Sequence, residues 1–449
     1  MIVALDDLIA ATGAQLVGPS GGRWAASIRG VAIDSREIRP GELFVAVQGG
    51  RDGHDFVASA ARLGATAAVV SRPVDAGIAQ LVVPDTVAAL ATMGALARDR
   101  INGPTVGITG SVGKTSTKDL LAAVSARSGL TTASARSLNN ELGVPLTLLN
   151  ADELTERTII EMGARGEGHI EALCRIARPH VGVVTSVAAA HTEMFGSVEA
   201  IAEAKGELIA ALPADGTAVL NADDPRVAAM VGRTTARVLT FGLGTNAEVR
   251  GVDIILDDDL RPRFVAETPW GRAQIHLGVR GHHNVTNALA AIGAALVTGV
   301  SIDDVVAGLG LAVLSPSRMD LVRLDSGGVV LDDAYNANPA SMRAALAALG
   351  SIDAARRVAV VGLMAELGDD AERLHREIAS EAASAGIEVV AVGTDLYGDA
   401  VMATVGDIGE LADVLAAPTE GEAVLLKASR IVGLDRVAQQ WRRSDQPVQ

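Results

Sequence analysis

The chain reads as an α/β protein, with a central P-loop, parallel-sheet domain and a C-terminal Rossmann-like, doubly wound domain. Three observations predict this. A strand–turn–helix signature with a Gly-rich turn lies at 104–118. Short apolar strands alternate with helix-periodic stretches on both sides of it, the pattern of parallel sheets covered by helices. A second such series begins after residue 315, and its first strand also ends in a dense polar turn. The expected segments are 1–85, a small α/β unit; 86–314, the P-loop unit; and 315–449, the doubly wound unit.

Composition sets limits. At 449 residues the chain exceeds one ordinary core, and about two to four domains is the expectation. Apolar residues make up 49% and charged residues 20%, which excludes a disordered chain. Aromatics are 2%, so Ala, Val, Leu and Ile must build the cores. A formal charge of −16 argues against a nucleic-acid partner. The single cysteine, Cys174, permits no intrachain disulfide and reads as a buried small hydrophobe in a reducing compartment. The first residues lack the basic and apolar regions of a signal peptide, and no stretch has the length of a membrane span. The protein is therefore expected in the cytoplasm.

In the first segment, 5–12 reads as a helix ended by Gly13, 43–47 as a strand, 56–63 as a helix, and 67–70 and 80–83 as strands. Two polar turns, Asp34-Ser35-Arg36 and Asp52-Gly53-His54, could hold a polar ligand. The Arg36 guanidinium suits a phosphate or carboxylate because it donates a forked pair of hydrogen bonds. Ordinary turns and helix caps explain these residues equally well.

A helix over 87–100 leads into the strand at 105–108. The turn that follows, Thr109, Gly110, Ser111, Val112, Gly113, Lys114, Thr115, with Ser116 opening the helix, closes like a phosphate-binding loop. Gly110 and Gly113 let several backbone N–H groups face one anion, and the helix N-terminus adds partial positive charge. Lys114 neutralises phosphates, and the Thr115 hydroxyl suits Mg²⁺. Ile108 stands where the longer pattern has its first glycine, so this is a shorter variant.

Further strands are expected at 158–161, 181–185, 217–221 and 237–241, with helices over 168–177 and 197–211, and ligands gather beyond the carboxyl ends of such strands. Glu161 closes one of them and suits Mg²⁺, though a cap or surface acid reads as well. His191 would by itself be structural, and Lys205 a solvated helix face. Asn139 and Asn140 lie in a polar turn. Residues 245–280 look like an antiparallel insertion or meander. Asn284 and Asn287 share a helical face and could read a nucleobase edge.

In the last segment, 315–320 is a linker with Arg318, and 329–332 a strand ending in Asp333, Tyr335, Asn336 and Asn338. Helices at 340–349 and 371–385 and strands at 357–362, 388–393 and 423–427 complete the unit. Two nucleotide-competent edges suggest an ATP site closed between domains.

These residues resemble the Mur ligases, the ATP-dependent amide ligases of peptidoglycan precursor synthesis, over nearly the whole chain. The carrying motifs are D-S-R at 34–36, D-G-H at 52–54, T-G-S-V-G-K-T at 109–115, N-N at 139–140, E-M-G at 161–163, His191, Ala204-Lys205, His283-Asn284 with Asn287, Y-N-A-N-P at 335–339, M-A-E-L-G at 364–368 and L-K-A-S-R at 426–430. The Y-N-A-N-P and M-A-E-L-G stretches point to the branch that adds D-alanyl-D-alanine (D-Ala-D-Ala) to UDP-MurNAc-tripeptide.

The resemblance implies three domains: one for the UDP end of the precursor, through Ser35, Arg36, Asp52 and His54; one for ATP; and one that closes over ATP and helps bind the dipeptide. It implies Mg²⁺, two ions, on Thr115, Glu161, His191 and a carbamylated Lys205. Asn284 and Asn287 would meet adenine, Asp333 the ribose and Arg318 the γ-phosphate, while Asn139, Asn140, Tyr335, Asn336 and Asn338 would face substrate. No nucleic acid is implied, and the chain is expected to act as a monomer. The sequence departs from the family where Ser186 replaces a frequent Asn, Ala188-Ala189 a frequent Gly-Pro, Ala334 a Ser and Ala428 a Gly. Two other readings are a related ligase with another acceptor, of folylpolyglutamate or cyanophycin type, and a nucleotide-binding protein without ligase chemistry.

Overall fold

With few aromatics, aliphatic strand faces must supply both buried layers around each sheet. The computed structural model, which describes residues 1–18, 25–189 and 192–444, shows how. A nine-stranded sheet lies at the centre. From one edge its strands are Gly271–His276, Pro262–Thr268, Val249–Leu256, Arg237–Gly242, Thr217–Asn221, Val181–Val184, Thr105–Thr109, Arg157–Glu161 and Thr131–Ala133. Side chains alternate across it. Ile159 and Val183 join one core with helices Lys114–Ser125 and His283–Val297. Ile160 and Val184 join another with helices Thr86–Arg98, His169–Ala177 and Val198–Ala210.

Strand Thr105–Thr109 lies where the chain order reverses, between Val181–Val184 and Arg157–Glu161. That is the switch point at which open α/β sheets leave a crevice beyond the strand ends. Helix His283–Val297 packs on helix Lys114–Ser125 with Ala288, Ala291, Ala294 and Ala295 fully buried. Such small residues let two helices approach closely.

The N-terminal five-stranded sheet shares its core with the central one. Leu43 and Val69 connect through Leu90 and Met93 of helix Thr86–Arg98 to Ile160. Asp85 starts that helix by accepting from Val87 N and Ala88 N. The C-terminal sheet, in the order Asp320–Arg323, Val329–Asp332, Glu422–Lys427, Arg356–Gly362, Glu388–Val392, Ala403–Val405, is parallel except at its first, edge strand. It has its own core on each face. This is the expected α/β class.

Two local expectations gain detail and one changes. Residues 245–280 form the expected meander, and it is joined to the central sheet instead of standing apart as an insertion. Val249–Leu256 continues the central sheet in parallel, pairing Val249 with Phe241, and only then does the meander turn antiparallel. The Asn139–Asn140 turn opens directly into a buried helix, Gly143–Leu149, which Asn140 Oδ1 starts by accepting from Gly143 N at 3.0 Å. Lys205 is not on a solvated face, for it is 4% exposed. Its helix buries Ile201, Ala204, Lys205, Leu208 and Ile209 on one stripe. Among the described residues, no helix is long and apolar enough to cross a membrane.

Candidate active site

The loop after strand Thr105–Thr109 is shaped by what a side chain would strike. Gly110 has φ +150° and Gly113 φ +87°, a region that penalises residues with a Cβ. A Cβ on Gly110 would fall 1.9 Å from Thr185 Oγ1, and one on Gly113 2.3 Å from Asn287 Oδ1. The loop is docked on the next strand's exit. Ser111 N donates to Ser186 O at 2.8 Å, Ser111 Oγ to Ala188 O at 3.0 Å and Thr185 Oγ1 to Val112 O at 2.6 Å. Ser186 Oγ accepts from Val112 N at 3.2 Å, so the serine at this position participates in the cradle. Gly113→Ala is expected to weaken ADP binding about tenfold, since the left-handed conformation alone costs about 1–2 kcal/mol. Calorimetric titration checks this.

Lys114 Nζ lies over the loop, donating to Gly110 O at 2.5 Å. Burial lowers its pKa, the nearby Glu161 raises it, and Arg318 lowers it further. Glu161, 1% exposed, ends its strand beside Ile108. Its Oε1 accepts from Asn139 Nδ2 at 2.8 Å, while its Oε2 is buried with no hydrogen-bond partner. Lys205 shares this neighbourhood. Burial, then the Lys114 charge, holds its pKa well below the usual lysine value.

The C-terminal unit completes the wall. Arg318 Nη2 donates to Thr115 Oγ1 at 3.0 Å, and its guanidinium stacks 4.2 Å over the Tyr335 ring. The Tyr335 hydroxyl meets Ser137 Oγ of the central unit. Asp333 accepts from Met319 N at 3.1 Å and pairs with Lys427 Nζ at 2.5 Å. Together these residues line a cavity of about 480 Å³ between the two units.

Most of the residues predicted from sequence meet here: Ser111 to Ser116, Asn139, Glu161, Asn284, Asn287, Arg318, Asp333, Tyr335, Asn336 and Asn338 all line the cavity. Thr109 ends the strand beneath it. Asn284 is fully buried and accepts from Asn287 Nδ2 at 2.8 Å, so it braces Asn287 from behind. Asn338 caps helix Pro339–Gly350 through Ser341 N at 2.9 Å. His191 lies outside the described residues.

Ser35, Arg36, Asp52 and His54 sit elsewhere, on the N-terminal unit. Asp34 takes the Arg36 fork, which pulls its pKa down to about 2. His54 is enclosed, and both ring nitrogens are engaged. Ser71 N donates to Nε2 at 2.9 Å, which places the proton on Nδ1, facing Asp52 Oδ1 at 2.6 Å. Hydrogen bonds from His54, backbone before side chain, lower the Asp52 pKa to about 2. His54 thus fastens its own loop.

Sequence reasoning gave no role to Lys427, Ser137, Thr185 or Ser186. Lys427 ends a buried parallel strand, a position that could have marked it; nothing marks Ser137.

The residues suit Mg²⁺. A threonine hydroxyl and a buried carboxylate oxygen without a partner supply hard donors, and Mg²⁺ commonly takes one or two carboxylates with phosphate oxygens and water. Among the described residues no three His, Cys, Asp or Glu side chains converge on one point.

Residues 27–98 match the catalytic domain of the Mur ligase family, 108–295 the Mur ligase middle domain and 317–430 the Mur ligase glutamate ligase domain. The chain is 42% identical to the UDP-N-acetylmuramoyl-tripeptide–D-alanyl-D-alanine ligase of Mycobacterium bovis, over 91% of each sequence. A crystal structure of MurF from Acinetobacter baumannii superposes with a TM-score of 0.88 at 30% identity, covering 99% of both chains. MurF from Thermotoga maritima in complex with ADP superposes at 0.80 with 29% identity, covering 92% of this chain and 97% of that one.

Proposed function

The chain belongs to the Mur ligase family, and from that premise we propose that it joins D-Ala-D-Ala to UDP-MurNAc-tripeptide at the expense of ATP, in peptidoglycan precursor synthesis. The observation that carries this reading is the convergence of a phosphate loop, a partnerless Glu161 oxygen and an arginine from a different domain on one cavity.

In this reading the tripeptide's terminal carboxylate attacks the γ-phosphorus, ADP leaves, and an acyl phosphate forms. The dipeptide amine then attacks the acyl carbon, and the tetrahedral intermediate expels phosphate. The chemistry needs no protein nucleophile, so positioning and charge carry catalysis. The loop amides and Lys114 hold the β- and γ-phosphates. Arg318 offsets charge growing on the transferring group. Asn287, braced by Asn284, would meet adenine, and Asp333, paired with Lys427, would meet the ribose.

Thr115 and Glu161 would hold Mg²⁺, which supplies charge neutralisation of the phosphates when bound. His191 and a carbamylated Lys205 would hold a second ion. The burial of Lys205 supports this, because a neutral amine is the form that takes up CO₂. The N-terminal unit would bind the UDP end, with the exposed Arg36 offered to an anion in competition with Asp34.

A substrate panel tests the reading. Phosphate release is expected only with ATP, UDP-MurNAc-tripeptide and D-Ala-D-Ala together. Equal turnover with a single amino acid in place of the dipeptide would refute the acceptor assignment.

A further inference from the structure

The linker into the C-terminal unit touches the phosphate-loop helix at two points one turn apart. Asp119 Oδ2 accepts from both Ser315 N and Ser315 Oγ, each at 2.8 Å. Thr115, four residues earlier on the same helix face, accepts from Arg318 three residues further along the linker. The other oxygen of Asp119 meets Lys118 Nζ at 2.8 Å. Lys118 is 3% exposed and also donates to Ser134 O at 2.9 Å and Arg136 O at 3.1 Å. Ser134 Oγ in turn accepts from Glu161 N at 3.1 Å.

The linker needs such an anchor. Ser317 and Met319, on either side of Arg318, both have φ +57°, a conformation that costs about 1–2 kcal/mol in a non-glycine residue. On the C-terminal side it is held by Asp320, Asp332 and Asp333, which accept from Ser317 N, Ser317 Oγ and Met319 N. On the central side, Asp119 holds its start.

We propose that Asp119, oriented by Lys118, is a positioning residue that registers the linker so that Arg318 reaches Thr115 and the phosphoryl group transferred above it. The inference rests on the ligase reading of Arg318. Asp119 touches no substrate and acts only through the arginine. The same pair ties the linker to the loop that carries Ser134 and Asn139, both bonded to Glu161. The placement of the arginine and of the acid therefore share one support.

A double-mutant cycle on the full-length enzyme tests this, with phosphate release as the readout. Asp119→Ala is expected to lower kcat roughly 30-fold with little change in the KM for ATP, and Arg318→Lys about 100-fold, magnitudes typical of lost transition-state contacts. If Asp119 works through Arg318, the double variant falls no further than Arg318→Lys alone. Asp119→Asn, nearly isosteric, serves if the alanine variant does not fold; it is expected to show the same coupling with a smaller loss. Losses that multiply, or an Asp119 variant as active as the parent, would overturn the inference while leaving the ligase reading in place. Full activity in Arg318→Lys would remove the role of the arginine, and the inference with it.

Discussion

Lys114→Ala is expected to abolish almost all ligase turnover while leaving the protein as stable as before, or more so. The loss follows from the position of the ammonium over the loop carbonyls at the helix N-terminus, where phosphates bind. Removing one such donor from a preorganised site commonly costs about 10²–10³ in rate, or about 3–4 kcal/mol. The stability effect has the opposite sign. Burial lowers the Lys114 pKa, so the fold disfavours the charged form relative to the unfolded chain. That destabilisation is present wherever the unfolded lysine is protonated, including neutral pH, and alanine removes it. Phosphate release and a thermal melt on one preparation check both halves. A variant that keeps turnover would remove the phosphate-loop assignment, and one that loses both turnover and fold would remove the argument about burial.

The parts of the site that were legible in the sequence are those that the chemistry requires to be contiguous. Thr109 to Thr115 must follow one another because one turn has to aim several amides at one anion, so strand, glycines, lysine and helix appear in a single run. Asp333 and Tyr335 were legible for a related reason: an apolar strand that ends in polar residues delivers them to a sheet edge. Lys205 was legible through the family motif, while its helix position taken alone pointed to a solvated face. Residues 201, 204, 205, 208 and 209 follow the spacing of a buried helical stripe, and lysine occupies an apolar position in it. The polar loop at Asp52 and His54 could not be decided from sequence, because the same residues can bind a ligand or each other, and here they bind each other. The Asp119–Ser315 clip left no signal at all. Its partners are 196 residues apart, and neither belongs to a pattern that foresees the other.

The lysine on that apolar stripe leads to the second large effect. An ammonium buried beside Lys114 is penalised twice, by desolvation and by a like charge, and both lower its pKa. A carbamate at the same position is an anion, so the like-charged pair becomes an opposite-charged one and the buried cation disappears. The neutral amine required for CO₂ uptake exists above the folded-state pKa, which this site has moved down, so uptake at neutral pH is favoured over that of an exposed lysine. Acid reverses it, because protonated carbamate loses CO₂. The expected results are concrete. Lys205→Arg, which keeps a cation and cannot be carbamylated, loses about 10²-fold or more in kcat. The parent enzyme loses turnover in CO₂-depleted buffer, more so as pH falls, and regains it with bicarbonate. Growth of a carbamate carbon resonance on adding ¹³C-bicarbonate, present in the parent and missing in Lys205→Arg, gives a readout independent of turnover. An active Lys205→Arg enzyme, or a parent with no such resonance and no response to bicarbonate, would return Lys205 to the role of a buried lysine on the apolar stripe of its helix.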